Sequence, residues 1–145
     1  MAKFLTIEVE GVSQLIGKLK DFGNKGMSAV EDITQIKAKD IEADAKRNAP
    51  YDLGKLKQSI EAFKLGKNTW EIVAREPYAP YIEFGTGTKV KVPSGWEEIA
   101  IQFKSPNDHN VNLPARPYLR PAFEKGAKSY EKDLKQALKL LIDKI

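Results

Sequence analysis

The hydrophobic pattern at the start of the chain predicts one strand and one short helix. Apolar and polar residues alternate through Lys3–Glu10, which is the two-residue period of a half-buried strand. After Gly11 the apolar residues recur every three or four positions up to Phe22, and Gly23 follows as a typical helix end. We therefore expect a strand at 3–10 and a helix at 12–22.

The next helical pattern is longer and has two apolar faces. It runs from Lys25 to Asn48 and stops before Pro50, because a residue that precedes proline is driven out of the helical region. The first face consists of Met27, Val30, Thr34, Ala38, Ile41 and Ala45. The second face consists of Ala29, Ile33, Ile36 and Ala43. The second face either lies under another helix of the same chain or forms a contact between subunits, with Ile33 and Ile36 as interface residues.

Two strand-like segments follow a turn at Tyr51–Gly54. Leu56–Leu65 and Thr69–Arg75 are joined by the turn residues Gly66-Lys67-Asn68, which predicts an antiparallel hairpin. In the second strand, one face carries Trp70, Ile72 and Ala74.

The composition of residues 88–113 predicts a long connection that leaves the compact domain, which we call the excursion. Glycine, proline, serine and asparagine recur there at short intervals, and a connection of this length is usually functional or disordered. We expect a short helix or strand at Trp96–Phe103 and a mobile tip at Ser105–Asn112.

A helix that begins between Pro117 and Pro121 ends the pattern, since proline is tolerated in a first helical turn. Alternating spacings of four and three between its apolar residues indicate a coiled-coil seam or an amphipathic helix lying on a sheet. These residues are Phe123, Ala127, Tyr130, Leu134, Ala137 and Leu141. The predicted fold class is α+β, a single domain over 1–145 with a small, mainly antiparallel sheet packed against a long N-terminal-half helix and a C-terminal helix.

Composition narrows the class of protein. The chain has 145 residues, of which 41% are hydrophobic and 30% charged, as expected for a folded domain rather than a disordered chain. It contains no cysteine, so disulfides and thiolate metal sites are excluded. Its net charge of +4 comes from interleaved lysines, arginines and carboxylates, which is typical of a solvated surface. No secretory signal or membrane-spanning run is visible in the sequence.

The sequence predicts no catalytic, cofactor or metal site. The single histidine, His109, lies in a polar loop pattern, and Gly85-Thr86-Gly87 lacks the third glycine of a dinucleotide fingerprint. Glu83 lies between two apolar residues. It either pairs with an arginine or caps backbone amides, or else it is one acid of a hydrolase, which would need a second acid opposite it.

Three ordered segments resemble a family of minor tail components of tailed bacteriophages. They are Ala49–Ile60, Tyr78–Thr86 and Pro114–Ala122. Leu53 replaces a usual threonine of that family, and Tyr118 stands where phenylalanine is more frequent. The residues of these segments that we expect to shape the fold or its assembly are Pro50, Asp52, Gly54, Leu56, Ser59, Tyr78, Tyr81, Glu83, Phe84, Gly85, Thr86, Arg116, Pro117, Tyr118, Leu119 and Pro121.

This resemblance implies a structural role. It implies a tail-completion or neck protein without enzymatic activity that forms a ring of about six copies at the head–tail junction. The implied partners are the head-side connector and the tail terminator or tube proteins, with DNA passing through the lumen and no membrane contact. The implied location is the virion, and the host cytoplasm during assembly.

The motif residues are interpreted as determinants of shape. Gly54 and Gly85 are expected where a side chain would block the backbone, and the motif prolines where the chain changes direction. A second hypothesis is a nucleic-acid-binding module whose cations are Lys89, Lys91, Lys104, Arg116 and Arg120. A third is a hydrolase built around Glu83.

Overall fold

The predicted α+β class is confirmed by the structure, a computed structural model that describes residues 5–9, 23–103 and 112–143. The helix predicted at 12–22 lies outside these residues. Most of the mobile tip predicted at Ser105–Asn112 also lies outside them.

A three-stranded antiparallel sheet forms one layer of the molecule. Its strands are β1 (Leu5–Val9), β2 (Ile60–Gly66) and β3 (Thr69–Ala74), in the order β1-β3-β2. Ala74 of the central strand is in register with Leu5 on one side and Ile60 on the other. The predicted hairpin is confirmed as β2–β3, and the three residues predicted to share a face of β3 are all buried.

Two long helices form the other layers. They are α1 (Gly23–Asn48) and α5 (Leu119–Asp143). One side of α1 packs against the hairpin and another side packs against α5. The helices are antiparallel, because Thr34 of α1 contacts Tyr130 whereas Asp44, later in α1, contacts Lys125, which is earlier in α5.

The first apolar face of α1 is confirmed as part of the core. Five of its six residues are buried, namely Val30, Thr34, Ala38, Ile41 and Ala45. On α5 the buried residues are Leu119, Ala122, Gly126, Tyr130 and Leu134. The predicted seam is therefore only partly right, since Ala127 is exposed and Phe123 is half-buried. A Cβ at Gly126 would collide with the side chain of Ile41, so the glycine rather than its neighbour faces α1.

The strand predicted to begin at Leu56 begins instead at Ile60. A short helix, α2 (Gly54–Ser59), occupies the first part of that segment. The Lys57 amide donates to the Leu53 carbonyl oxygen at 3.2 Å, which continues the helical hydrogen bonding. The strand prediction was wrong here because Leu53, Leu56 and Ile60 follow helical spacing.

The excursion contains short helical elements. They are a 3-10 turn at Gly87–Lys89, the helix α4 (Glu97–Ala100) and a 3-10 turn at Ile101–Phe103. The helical alternative for Trp96–Phe103 is thus confirmed. Before the excursion, the helix α3 (Ala79–Phe84) carries most of the second motif segment.

Candidate assembly surfaces

A buried carboxylate on α3 caps the first turn of α5. One oxygen of Glu83 accepts the amides of Tyr118 and Leu119, both at 2.9 Å, and the other oxygen accepts the amide of Arg120 at 3.0 Å. Amides at the start of a helix have no partner within the helix. Glu83 supplies that partner from 35 residues or more away in the chain, so it fixes where α5 begins relative to α3. Of the open interpretations of Glu83, capping of backbone amides is the observed one.

The surroundings of Glu83 have two opposing effects on the pKa of its carboxyl group. The residue is only 2% exposed, and burial raises the pKa of its carboxyl group above the ordinary value. The three amides and the nearby Arg120 act in the opposite direction. Because both oxygens are occupied by main-chain donors, the geometry gives no support to Glu83 as the acid of a hydrolase.

Tyr118 forms a second link between α3 and the start of α5, and here the side chain comes from the α5 end. Its hydroxyl group donates to the Ala79 carbonyl oxygen at 3.1 Å, and its side chain is fully buried. Burial raises the pKa of Tyr118, and the charge of Glu83 raises it further. Phenylalanine at this position would fill the same space without the hydrogen bond to α3. The tyrosine therefore adds a polar link to an apolar contact.

Gly85 lies where a side chain would be blocked by the backbone, as expected, whereas Gly54 does not. The φ angle of Gly85 is +82°. A Cβ there would lie 2.8 Å from the carbonyl oxygens of Leu113 and Lys89. By contrast, a Cβ at Gly54 would meet nothing within 4 Å, and its φ is not positive. The expectation that Gly54 avoids a blocked backbone was wrong.

The two ends of the excursion are hydrogen-bonded to each other. The Thr86 amide donates to the Leu113 carbonyl oxygen at 2.9 Å, and the Leu113 amide donates to the Thr86 hydroxyl oxygen at 2.8 Å. Further along, the Arg116 amide donates to the Ile82 carbonyl oxygen at 2.8 Å. We call these paired segments the neck of the excursion.

All three motif segments meet at this place. Asp52 of the first segment pairs with Arg116 of the third at 2.9 Å. The Asn48 side chain, just before the first segment, donates to the Tyr118 carbonyl oxygen at 3.3 Å. Leu56 is fully buried and Pro50 is also buried, whereas the Ser59 hydroxyl donates to the Leu56 carbonyl oxygen within α2. The three motif segments, which are far apart in the sequence, therefore form one cluster in the structure.

Two aromatic side chains project from this cluster. Tyr51 is fully exposed in the turn that precedes α2, next to the Asp52–Arg116 ion pair. Tyr81 is 38% exposed and contacts Phe103 edge to face, with ring centroids 5.2 Å apart. Behind it, Phe84 is buried and stacks on Phe103. We call Tyr51, Tyr81 and Arg116 the corner surface.

The second apolar face of α1 continues onto α5 as an open groove. Ile36 and Leu140 are each 58% exposed. They line the groove with Ile33 and Ala137, beside the 2.8 Å ion pair between Lys37 and Asp133. In the described part of the chain no helix covers Ile36. We call this surface the α1–α5 groove.

Of the two apolar α5 residues that line this groove, Ala137 belongs to the predicted seam, whereas Leu140 was not predicted to contribute. Leu140 lies off the predicted seam, and such an off-seam apolar residue near the helix end was the available signal. Of the basic residues of the second hypothesis that the structure describes, both arginines form ion pairs. Arg116 pairs with Asp52 and Arg120 pairs with Glu124. Lys89 and Lys91 are exposed, and Lys104 lies outside the described residues.

The described residues contain neither a metal-binding cluster nor a membrane-spanning helix. Within 5–9, 23–103 and 112–143, no group of three or more His, Asp or Glu side chains is arranged as a metal site. In the same part of the chain, no helix combines the length and the apolar character that crossing a bilayer requires.

One family model matches the chain over residues 13–85, and its description is "Bacteriophage HK97-gp10, putative tail-component". The match contains the first motif segment and all but the last residue of the second. The third segment, which carries Tyr118, follows beyond it and is held to the second by Glu83. Comparisons with curated proteins and with solved structures found no match.

Proposed function

Because the chain belongs to the HK97-gp10-like family of bacteriophage tail components, we propose that it is a tail-completion protein at the head–tail junction. In this role it assembles into a ring that joins the tail to the head-side connector. The protein acts through surfaces and not through catalysis. It is part of the virion once assembled.

The observation that carries the proposal is the α1–α5 groove. Ile36 and Leu140 expose more than half of their surface, although each belongs to a helix whose opposite side is in the core. Grouped exposed apolar side chains commonly mark protein contacts. Tight packing of a neighbouring subunit there would remove them from water.

The corner surface is the second half of the proposed contact. A closed ring repeats one heterologous contact, so each subunit needs two different complementary surfaces. Tyrosine and arginine are enriched in the energetically important parts of interfaces, and the corner surface presents Tyr51, Tyr81 and Arg116. We propose that the corner surface of one subunit binds the α1–α5 groove of the next.

The family resemblance suggests about six subunits, in keeping with tail symmetry. The remaining faces of the ring would contact the connector on one side and the tail terminator or tube proteins on the other. The lumen would admit DNA. The family match favours this role over the second hypothesis, in which both arginines would have to exchange their carboxylate partners for phosphate.

The first experiment measures the mass of the assembly as a function of concentration. We expect wild-type protein to form a closed oligomer at high concentration and Ile36→Glu to remain monomeric with unchanged circular dichroism. Leu65→Glu is the matched control, because Leu65 is 50% exposed near the end of β2 and belongs to neither the groove nor the corner surface. Equal loss of assembly in both variants, or unfolding of Ile36→Glu, would contradict the groove as an interface.

A mixing experiment tests the head-to-tail geometry. Ile36→Glu damages one surface and Tyr81→Asp the other, so neither variant assembles alone. An equimolar mixture retains one intact groove and one intact corner, and it should form heterodimers that cannot grow into a ring. A mixture that stays monomeric, or one that restores full rings, would exclude this arrangement.

A further inference from the structure

The outward face of α5 carries a continuous line of lysines. Successive spacings of three, four, three and four residues place them on one helix face. All of them are exposed, whereas the buried residues of α5 lie on the side that meets α1. These lysines, which we call the lysine stripe, are Lys125, Lys128, Lys132, Lys135 and Lys139.

Most of the positive charge of this stripe is free. Lys128, Lys132 and Lys139 form no ion pair within the described residues. Lys125 lies 3.6 Å from Asp44, and Lys135 lies 2.9 Å from Glu131. Both of those lysines are about three-quarters exposed, with side-chain accessibilities of 76% and 74%. Exposed pairs of this kind contribute only about 0–1 kcal/mol, so an anionic ligand could displace them.

We propose that the lysine stripe binds the phosphate backbone of duplex DNA without reading its sequence. The stripe spans 14 residues, or about 21 Å at 1.5 Å per residue. Duplex DNA presents one negative charge per about 1.7 Å of its axis. A duplex laid along the stripe would thus place roughly a dozen charges opposite five cations.

The chemistry of the stripe favours a polyanion over a protein or a membrane. Lysine is depleted in protein interfaces, whose centres need apolar anchors. It is, however, an effective point charge for phosphate. A membrane-binding helix would direct an apolar face outward, whereas on α5 the buried apolar residues face the protein interior.

The same residues favour a duplex over a single strand. Proteins that bind single-stranded nucleic acid stack bases on aromatic side chains. The aromatic residues of α5 are turned away, since Tyr130 bonds to Thr34 and Phe123 packs edge to face on Trp96. Lysine offers a compact point charge rather than the planar fork of arginine, so the stripe supplies phosphate contacts and no fixed pattern of base contacts. The expected binding is therefore electrostatic and independent of sequence.

The test measures DNA affinity against salt concentration. The probe is a 30-base-pair duplex of arbitrary sequence, followed by fluorescence anisotropy from low to moderate salt. The triple variant Lys128→Gln, Lys132→Gln, Lys139→Gln removes the three unpaired charges. If each contacts a phosphate, the slope of log K against log salt should become shallower by about 2.7, because each contact contributes about 0.9.

A matched triple variant controls for net charge. Lys55→Gln, Lys57→Gln, Lys67→Gln removes the same charge from exposed positions on α2 and the hairpin turn, and it should leave the slope almost unchanged. Equal slope changes in the two triples, or no duplex binding by the wild-type protein at low salt, would overturn the proposal. If the stripe is only a solvated surface, the wild-type protein should not bind duplex DNA at low salt.

Competition distinguishes the ligand classes. Unlabelled duplex DNA should displace the probe at lower concentration than single-stranded DNA, duplex RNA or poly-glutamate. Stronger competition by any of those three would refute the assignment to duplex DNA. The Ile36→Glu monomer should show the same DNA slope as wild-type protein, so failure of ring assembly and failure of DNA binding can be separated.

Discussion

The hydroxyl groups of Thr34 and Tyr130 form a 2.5 Å hydrogen bond between α1 and α5, in the core. Thr34 donates its own hydroxyl hydrogen to the Val30 carbonyl oxygen at 2.7 Å. Tyr130 must therefore be the donor and Thr34 the acceptor. This directional pair fixes the register of the two helices where apolar contacts alone would permit sliding.

Thr34→Val should destabilise the protein by about 1–3 kcal/mol, because it preserves the volume but leaves the buried Tyr130 hydroxyl without a partner. Urea unfolding followed by circular dichroism measures the change. The double variant Thr34→Val, Tyr130→Phe should recover part of the loss. Additive losses in the double variant would show that the two groups do not act as a pair.

Glu83→Gln should be more costly than Tyr118→Phe. The glutamine amide can accept at one atom only, so it presents a donor to a main-chain donor of α5 and loses charge-assisted hydrogen bonds, at about 2–4 kcal/mol. Tyr118→Phe removes one neutral bond, at about 1 kcal/mol. Unfolding free energies from urea titrations test the order. A larger loss for Tyr118→Phe would mean that the cap is not the main link between α3 and α5.

Gly85→Ala should be far more damaging than Gly54→Ala. The first change places a Cβ 2.8 Å from two carbonyl oxygens at a positive φ, and we expect a loss of at least about 2 kcal/mol. The second change fills open space and should alter stability by less than about 1 kcal/mol. Thermal melts of the two variants provide the measurement.

We likewise expect Gly85→Val to impair folding more than His109→Ala. Similar melting temperatures within either pair of variants would refute the proposed role of Gly85.

Glu42 should make stability depend on pH in the acid range. Its carboxylate accepts the Ala62 amide at 2.6 Å and pairs with Lys46 at 3.0 Å. Burial raises the pKa of Glu42, but these partners outweigh it and hold the pKa below the ordinary 4.5. A depressed carboxyl pKa gives stability that is present above the unfolded value and is lost as pH falls through the folded value.

The corresponding measurement compares urea midpoints at pH 7 and pH 3. Glu42→Gln should lose less stability on acidification than wild-type protein does. Glu98→Gln, at an exposed position on α4, is the control and should behave like wild type. An unchanged acid dependence in Glu42→Gln would contradict the inferred role of the Ala62 and Lys46 contacts.

Periodicity predicted the elements whose burial pattern is regular. Examples are the face of α1 around Ala38 and the face of β3 formed by Trp70, Ile72 and Ala74, although Val73 on the other face is also buried. Periodicity failed where a local hydrogen-bond pattern or one small residue decides the outcome, as at α2 and at Gly126. Capping by Glu83 was one of two structural alternatives, because a sequence does not reveal which distant amides a carboxylate will meet. The sequence predicted the α1 side of the groove and Ala137 on α5, but not the exposed Leu140.

The hydrogen bonds at the neck of the excursion make the stability of the fold nearly independent of the length of the loop. Since Thr86 and Leu113 already hold the two ends together, extra residues between them would enlarge a closed loop without moving α3 or α5. Doubling such a loop costs only about 0.6 kcal/mol in closure entropy. A peptide tag inserted after Asp108 should therefore leave the urea midpoint nearly unchanged. The segment is then a position at which related proteins can diverge in size and sequence while the common scaffold is preserved.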